Sequence, residues 1–259
     1  MNFNKEFIEI NGIKTAYIKR NGGDKICVIL HGWGAYIESI TPILKAVPSE
    51  YTVYAYDAPG FGDTEDPDFV MGTYDYYEFL LTLLEKFNIE KATFIGHSFG
   101  GKTLTILGAK NPLKVQKLVL IDASGVLPKR KLSYYFKVYS FKLMKKLYLL
   151  THGGNEESLK KFYKKHGSDD YQNANGIMRK CFVKVVNEST EEEFENIDAE
   201  TLLIWGENDD ATPLYMAHIF EKKIKNSGLV VLDGAGHYSY IDDFGTFNAV
   251  LNSFLGDNR

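Results

Sequence analysis

The sequence predicts an α/β fold: a mainly parallel β-sheet with helices on both faces, interrupted once by a helical insertion. Three observations predict it. Short apolar runs alternate with helix-length segments along most of the 259 residues. Several of those runs are apolar at every position, as strands buried on both faces are. One long stretch, from about residue 125 to residue 196, breaks the alternation and carries no buried-strand pattern.

Taken in order, Phe7–Ile10 and Lys14–Ile18 flank Asn11-Gly12, a turn pair that predicts a β-hairpin. Ile26–Leu30, Tyr51–Tyr56, Ala92–Ile95, Leu118–Ile121, Leu202–Trp205 and Leu229–Leu232 read as buried strands. Helices are predicted over Ile37–Val47, Tyr74–Phe87, Lys102–Ala109, Leu214–Ile224 and Phe244–Phe254. Strands alternating with helices imply a parallel sheet covered on both sides. The division predicted is a core of residues 1–125 and 196–259 with a helical cap at 126–195.

Within the insertion, Leu132, Phe136, Tyr139, Leu143, Leu147 and Leu150 follow helical spacing and share one stripe. Residues 126–165 carry 11 Lys and Arg against two acids, Glu156 and Glu157. The expectation is a cap helix whose apolar stripe covers the site beneath, with its lysines mostly on the other side. A basic amphipathic helix of this kind also permits contact with an anionic surface.

Composition narrows the function. Apolar residues are 44% and charged residues 25%, the mixture of an ordinary globular protein. The net charge of −4 disfavours a general nucleic-acid binder. No apolar run approaches the roughly 20 residues a membrane-spanning helix needs, and the N-terminus has no secretion-signal pattern. Cys27 and Cys181 form no metal-binding motif and read as reduced, packed thiols. A soluble cytoplasmic protein is expected.

The chemistry centres on Gly96-His97-Ser98-Phe99-Gly100-Gly101, between the strand Ala92–Ile95 and a predicted helix. G-x-S-x-G in that setting is a nucleophile elbow, a turn so tight that flanking Cβ atoms would collide. It lifts the Ser98 hydroxyl out at the carboxyl edge of the sheet. A serine hydroxyl needs an adjacent base. Of six histidines, His237 follows the last predicted strand in a glycine loop, where it can reach Ser98. His97 reads as packed and His31 as structural. His152, His166 and His218 read as surface or helix residues. The base needs a carboxylate to fix its tautomer. Asp209, after the penultimate predicted strand, is the first candidate; Asp210 and Asp122 compete with it. An oxyanion hole is expected from the main-chain N–H groups of Trp33, in His31-Gly32-Trp33-Gly34, and of Phe99.

These pieces, together with Asp57-Ala58-Pro59-Gly60-Phe61-Gly62, Trp205-Gly206-Glu207-Asn208-Asp209 with Pro213, and Gly236-His237, resemble the α/β-hydrolase superfamily. The likeness is to its capped branch of carboxylesterases and carbon–carbon hydrolases. The resemblance implies an eight-stranded sheet, a cap after strand six, no metal or organic cofactor, and the chain order Ser98, Asp209, His237. A serine at position 98 disfavours the dehalogenase and epoxide-hydrolase subgroups, which use aspartate there. Tyr238-Ser239-Tyr240 follows the histidine where the carbon–carbon hydrolases usually carry a tryptophan.

Three functional readings follow. The first is hydrolysis of a small or medium carboxylic ester through an acyl-enzyme on Ser98. The second is hydrolysis of another bond (carbon–carbon, lactone or amide) by the same residues. The third is a non-catalytic ligand-binding protein that keeps the fold. The expected partner is a small-molecule ester or related acyl compound.

Overall fold

Asn11 and Gly12, both at positive φ (52° and 79°), close a tight hairpin between β1 (Glu6–Ile10) and β2 (Ile13–Arg20). A computed structural model describes residues 4–129, 132–152 and 176–256. The sheet continues with β3 (Lys25–Leu30), β4 (Tyr51–Tyr56), β5 (Ala92–His97), β6 (Val115–Ile121), β7 (Glu200–Gly206) and β8 (Ser227–Leu232). Its eight strands lie in the order β1-β2-β4-β3-β5-β6-β7-β8. β2 runs antiparallel to both its neighbours, and all other pairings are parallel.

The described helices are α1 (Thr41–Ala46), α2 (Thr73–Lys86), α3 (Phe99–Lys110), α4 (Leu132–His152), α5 (Gly176–Val185), α6 (Leu214–Lys223), α7 (Ser239–Asp242) and α8 (Phe244–Leu255). Alternate side chains of each central strand serve opposite layers. Val28, Leu30, Phe94, Leu118, Leu120, Leu203 and Trp205 pack with Leu80 of α2, Leu104 of α3 and Phe220 of α6. Cys27, Ile29, Val53, Ile95, Val119, Ile121 and Ile204 pack with Ile43 of α1, Tyr240 of α7 and Phe247 of α8. Both faces are apolar, which is why these strands read as unbroken apolar runs. Cys27 and Cys181 are free and buried.

Strand order reverses at β3, which has β4 on one side and β5 on the other. In a parallel sheet the loops at such a point diverge and leave a crevice beyond the strand ends. The loops after β3 and β5 are therefore side by side, with Leu30 in register with Gly96.

Several element boundaries depart from the sequence reading. β6, β7 and β8 begin earlier than expected, because Val115-Gln116-Lys117, Glu200-Thr201 and Ser227-Gly228 join the ladder with partly polar side chains. Apolarity marked only the unbroken apolar run of each strand, although Val115 and Thr201 are buried too and β8, at the sheet edge, is half-buried over Leu229–Val231. The helix predicted over Ile37–Val47 is two pieces, a 3₁₀ turn at Ile37–Ile40 and then α1. Pro42 stands in the first turn of α1, where the missing N–H breaks no helical hydrogen bond. α3 starts at Phe99, three residues before the predicted start.

The insertion between β6 and β7 includes α4, α5 and a 3₁₀ turn at Glu191–Asn196. α5 is stitched to the core. The Met71 N–H donates to Cys181 Sγ at 3.2 Å, and Lys184 Nζ meets Asp75 Oδ2 at 2.9 Å. Phe182 lies against Trp33, with ring centroids 5.5 Å apart. α4 corrects the expectation of a stripe folded over the site. Phe136, Tyr139, Leu143 and Leu147 face outward, at 77%, 67%, 59% and 54% exposure. Phe141 and Tyr148, on the opposite side of the helix, are half-buried. The side chains of Leu132 and Leu150, the other two members of the predicted stripe, lie outside the described residues.

Candidate active site

The β5–α3 turn is as tight as the glycines demand. A Cβ on Gly96 would come within 2.6 Å of the Gly101 nitrogen, and one on Gly100 within 2.5 Å of the Leu30 oxygen. Ser98 sits between them at φ 50°, ψ −112°. A non-glycine residue in such a region is strained by roughly 1–3 kcal/mol and stays there only where its surroundings fix it. Here they do. The Ser98 N–H donates to the Ile121 carbonyl at 3.0 Å, and the Ser98 carbonyl accepts from the N–H groups of Lys102 and Ser124 at 3.0 and 3.1 Å.

His237 arrives from the loop after β8. That loop packs on the end of β7 because residue 206 is glycine: a Cβ there would stand 2.2 Å from the Gly236 oxygen. His237 Nε2 lies 3.0 Å from Ser98 Oγ, and its Nδ1 lies 2.8 Å from Asp209 Oδ2. The Asp209 carboxylate is fully buried and well satisfied. Oδ1 accepts from the N–H groups of Ala211 and Thr212, both at 2.8 Å, and Oδ2 accepts from the Thr212 hydroxyl at 2.7 Å. Burial alone would raise this carboxyl, but the hydrogen bond and charge of His237, with the Thr212 donors, hold it below the ordinary aspartate value. Burial likewise opposes a charge on His237, yet the Asp209 bond and charge outweigh it and raise the imidazole above its ordinary value.

The same burial acts differently on the other two core histidines. Desolvation lowers His31; its Nε2 accepts from the Ala58 N–H at 2.9 Å and its Nδ1–H donates to the Gly32 carbonyl at 2.7 Å, so it is a neutral tie between loops. His97 is pushed down to about 3 by burial and by the neighbouring His237. Its Nε2–H donates to the His237 carbonyl at 2.8 Å, fastening the His237 loop to the elbow. Of the three, His237 alone has an acid partner and touches Ser98.

The competing acids fall elsewhere. Asp122 is buried and accepts from the Gly206 N–H and from the N–H and hydroxyl of Ser239, at 2.9, 3.1 and 2.7 Å. It ties β6 to β7 and α7, and burial raises it to about 7. Asp210 is exposed. His218 is on α6 beside Glu221, while the side chain of His152 and all of His166 lie outside the described residues.

The loop after β3 supplies the opposite wall. The Ala35 N–H donates to the Gly32 carbonyl at 3.2 Å, and Gly34 has φ 73°, so Gly32–Ala35 form a turn with Trp33 at its corner. A Cβ on Gly32 would stand 3.2 Å from Ser98 Cβ, so the turn rests directly on the serine. Phe99 is the first residue of α3, where a backbone N–H has no acceptor within the helix. The Trp33 ring packs edge-on against Phe61, Tyr76 and Phe99.

A cavity of about 450 Å³ opens over Ser98, walled by Trp33, Val126, Phe182, Val185 and Met216 with His237 at one side. It also contains a group that the sequence reading missed. Lys102 is 3% exposed, and its Nζ donates to the carbonyls of Val185 and Glu188 at 2.6 and 2.7 Å. It thus caps the end of α5 from α3. A visible signal existed: a lysine one helical turn past Ser98, followed by the uncharged run Thr103–Ala109.

Desolvation pulls Lys102 down to about 8. The sign of its effect on stability follows. Between about 8 and the ordinary lysine value near 10.4 the unfolded chain binds more protons at this residue than the folded chain, so folding gains as pH rises. Urea unfolding of wild type and Lys102→Met at pH 7.5 and pH 10.5 is expected to show the difference moving toward the wild type by roughly 3 kcal/mol. No change in that difference would mean the ammonium is not desolvated.

Comparison with known proteins agrees with the architecture. The profile of the alpha/beta hydrolase fold matches residues 26–244. The chain is 24% identical over 244 residues to the uncharacterized hydrolase YugF of Bacillus subtilis, covering 88% of this chain and 89% of that one. It is 25% identical over 260 residues to a 2-hydroxy-6-oxononadienedioate/2-hydroxy-6-oxononatrienedioate hydrolase of Cupriavidus pinatubonensis, covering 91% and 88%. Among solved structures, a meta-cleavage product hydrolase from Pseudomonas fluorescens superposes with a TM-score of 0.73 at 20% identity, over 98% of each chain. With its eight-stranded sheet, elbow and family match in agreement, the chain belongs to the α/β-hydrolase fold family and is a hydrolase of that fold.

Proposed function

We propose that the protein is a serine hydrolase that cleaves small or medium carboxylic esters, with Ser98 as nucleophile, His237 as base and Asp209 as the acid that orients it. One observation carries this reading: the hydrogen-bonded row Ser98 Oγ, His237 Nε2, His237 Nδ1 and Asp209 Oδ2, with contacts of 3.0 and 2.8 Å. Ser98 Oγ attacks the ester carbonyl carbon and its proton passes to His237 Nε2. The carbonyl oxygen becomes an oxyanion held by the N–H groups of Trp33 and Phe99. The bond to the alcohol breaks as His237 returns the proton to the leaving oxygen. Water, deprotonated by His237, then frees the acid from Ser98. Residues 126–195 act as the cap of a core made of 1–125 and 196–259, and the walls that α5 and Val126 lend the cavity favour an apolar acyl group.

The second reading, a carbon–carbon hydrolase, has support in the activity for which the Cupriavidus relative is named. Tyr238 in place of the tryptophan expected there favours the ester. A panel of p-nitrophenyl esters of increasing acyl length, beside a 2-hydroxy-6-oxo-dienoate, separates the two. Turnover of esters with none of the dienoate is expected; the reverse would move the assignment to the carbon–carbon bond. A fluorophosphonate probe is expected to label Ser98. Folded protein that stays unlabelled would leave a binding protein instead.

A further inference from the structure

The outward stripe of α4 is unexplained by the hydrolase reading. Phe136, Tyr139 and Leu143 are more than half exposed, and Met144 beside them is exposed too. Such a row of large apolar groups on a globular surface marks an interaction face. The charge on the same helix says what kind. α4 contains Lys137, Lys142, Lys145 and Lys146 and no Asp or Glu, in a chain whose net charge is −4. Lys142 and Lys146, both exposed, run alongside the stripe one helical turn apart, and Lys142 Nζ lies 5.8 Å from the Tyr139 ring centre. Aromatic and aliphatic groups bordered by lysines are the make-up of a helix that lies in the plane of a lipid surface. Among the described residues, no helix is long and apolar enough to cross a membrane, so the fit is to lying on one.

The position relative to the cavity points the same way. Val126, Leu127 and Pro128 line the cavity and stand shortly before α4 in the sequence. Leu127 and Tyr238, both cavity-lining, are also exposed, which gives the site an apolar rim.

We propose that α4 docks the protein on an anionic lipid surface, so that esters dissolved in the membrane enter the cavity over Ser98 past Leu127 and Tyr238. The docking stands on α4 alone; the statement about its substrate rests on the serine-hydrolase reading.

The test is co-sedimentation of the full chain with vesicles of phosphatidylcholine alone or mixed with phosphatidylglycerol. Binding to the mixed vesicles that weakens as salt is added is expected, with little binding to phosphatidylcholine. Each lysine near an anionic surface is worth about 1 kcal/mol, or about five-fold in partition, so Lys142→Gln with Lys146→Gln should weaken binding by roughly 25-fold. Phe136→Ser with Leu143→Ser should weaken it at least about ten-fold and leave a residual binding that salt abolishes. These four positions are exposed, and circular dichroism of each variant verifies the fold. Absence of binding to mixed vesicles at low salt overturns the proposal. So does a wild type that sediments as a dimer, becomes monomeric in Phe136→Ser with Leu143→Ser, and ignores vesicles; α4 would then be a contact between copies. Vesicle binding by a protein that turns over no ester would sink the serine-hydrolase reading and leave the docking intact. Ester turnover without vesicle binding would do the opposite.

Discussion

Ser98→Ala is expected to lower kcat by about 10⁶-fold, the scale on which losing a triad nucleophile acts. The case is geometric. Ser98 Oγ is the hydroxyl in contact with His237 Nε2, and it faces the cavity. Alanine keeps the Cβ, so the φ of 50° is as strained as before and the elbow's hydrogen bonds through the Ser98 N–H and carbonyl remain. The melting temperature should therefore change little. The measurement is steady-state turnover of a p-nitrophenyl ester beside a thermal melt. Equal rates in variant and wild type, both folded, would refute Ser98 as the nucleophile.

Asp209→Asn is expected to cost about 10⁴-fold in kcat, because the amide oxygen stays on the Ala211 and Thr212 N–H groups and the NH2 then donates to Nδ1, which leaves the imidazole in the wrong tautomer. Its pH signature is separate. To act as the base His237 has to be neutral, and Asp209 holds its value above the ordinary 6.5. In the wild type, kcat/KM should fall as pH drops through a midpoint above 6.5. In the variant the bond and charge are gone and burial remains, so the midpoint should move below that of the wild type. An unmoved midpoint would show that Asp209 does not set the base. Stability has its own window. The raised His237 contributes below about 6.5 and loses that contribution as pH rises through its folded value; the lowered Asp209 contributes above its ordinary value and loses it as pH falls through its folded one. The pair therefore supports the fold most between about pH 4 and 6.5.

The sequence read some features well for physical reasons. Strands such as Ile26–Leu30 are buried on both faces, so apolarity alone marks them. Gly96 and Gly100 are forced by backbone atoms 2.6 and 2.5 Å from any Cβ, and that crowding makes the elbow visible as a motif. Asp209, Asp210 and Asp122 stayed in competition, because each follows or neighbours a strand end. Only three-dimensional placement brings Asp209 to His237 and turns Asp122 toward Gly206 and Ser239. Thr212 and Lys102 were missed because their partners are a carboxylate and two carbonyls that no spacing announces. The α4 stripe shows a further limit. A period of 3.6 residues says which side chains share a face and is silent about the direction in which that face points.

The two helices of the insertion are attached in different ways, and that has an evolutionary consequence. α5 is fastened by Lys102, Cys181 and Lys184, and it supplies part of the cavity wall over Ser98. α4 turns Phe136, Tyr139, Leu143 and Leu147 outward. Sequence drift along the outward face of α4 can therefore change what the surface presents while the cavity walls that α5 supplies are inherited unchanged. Drift along α5 would alter both the fit and the integrity of the core.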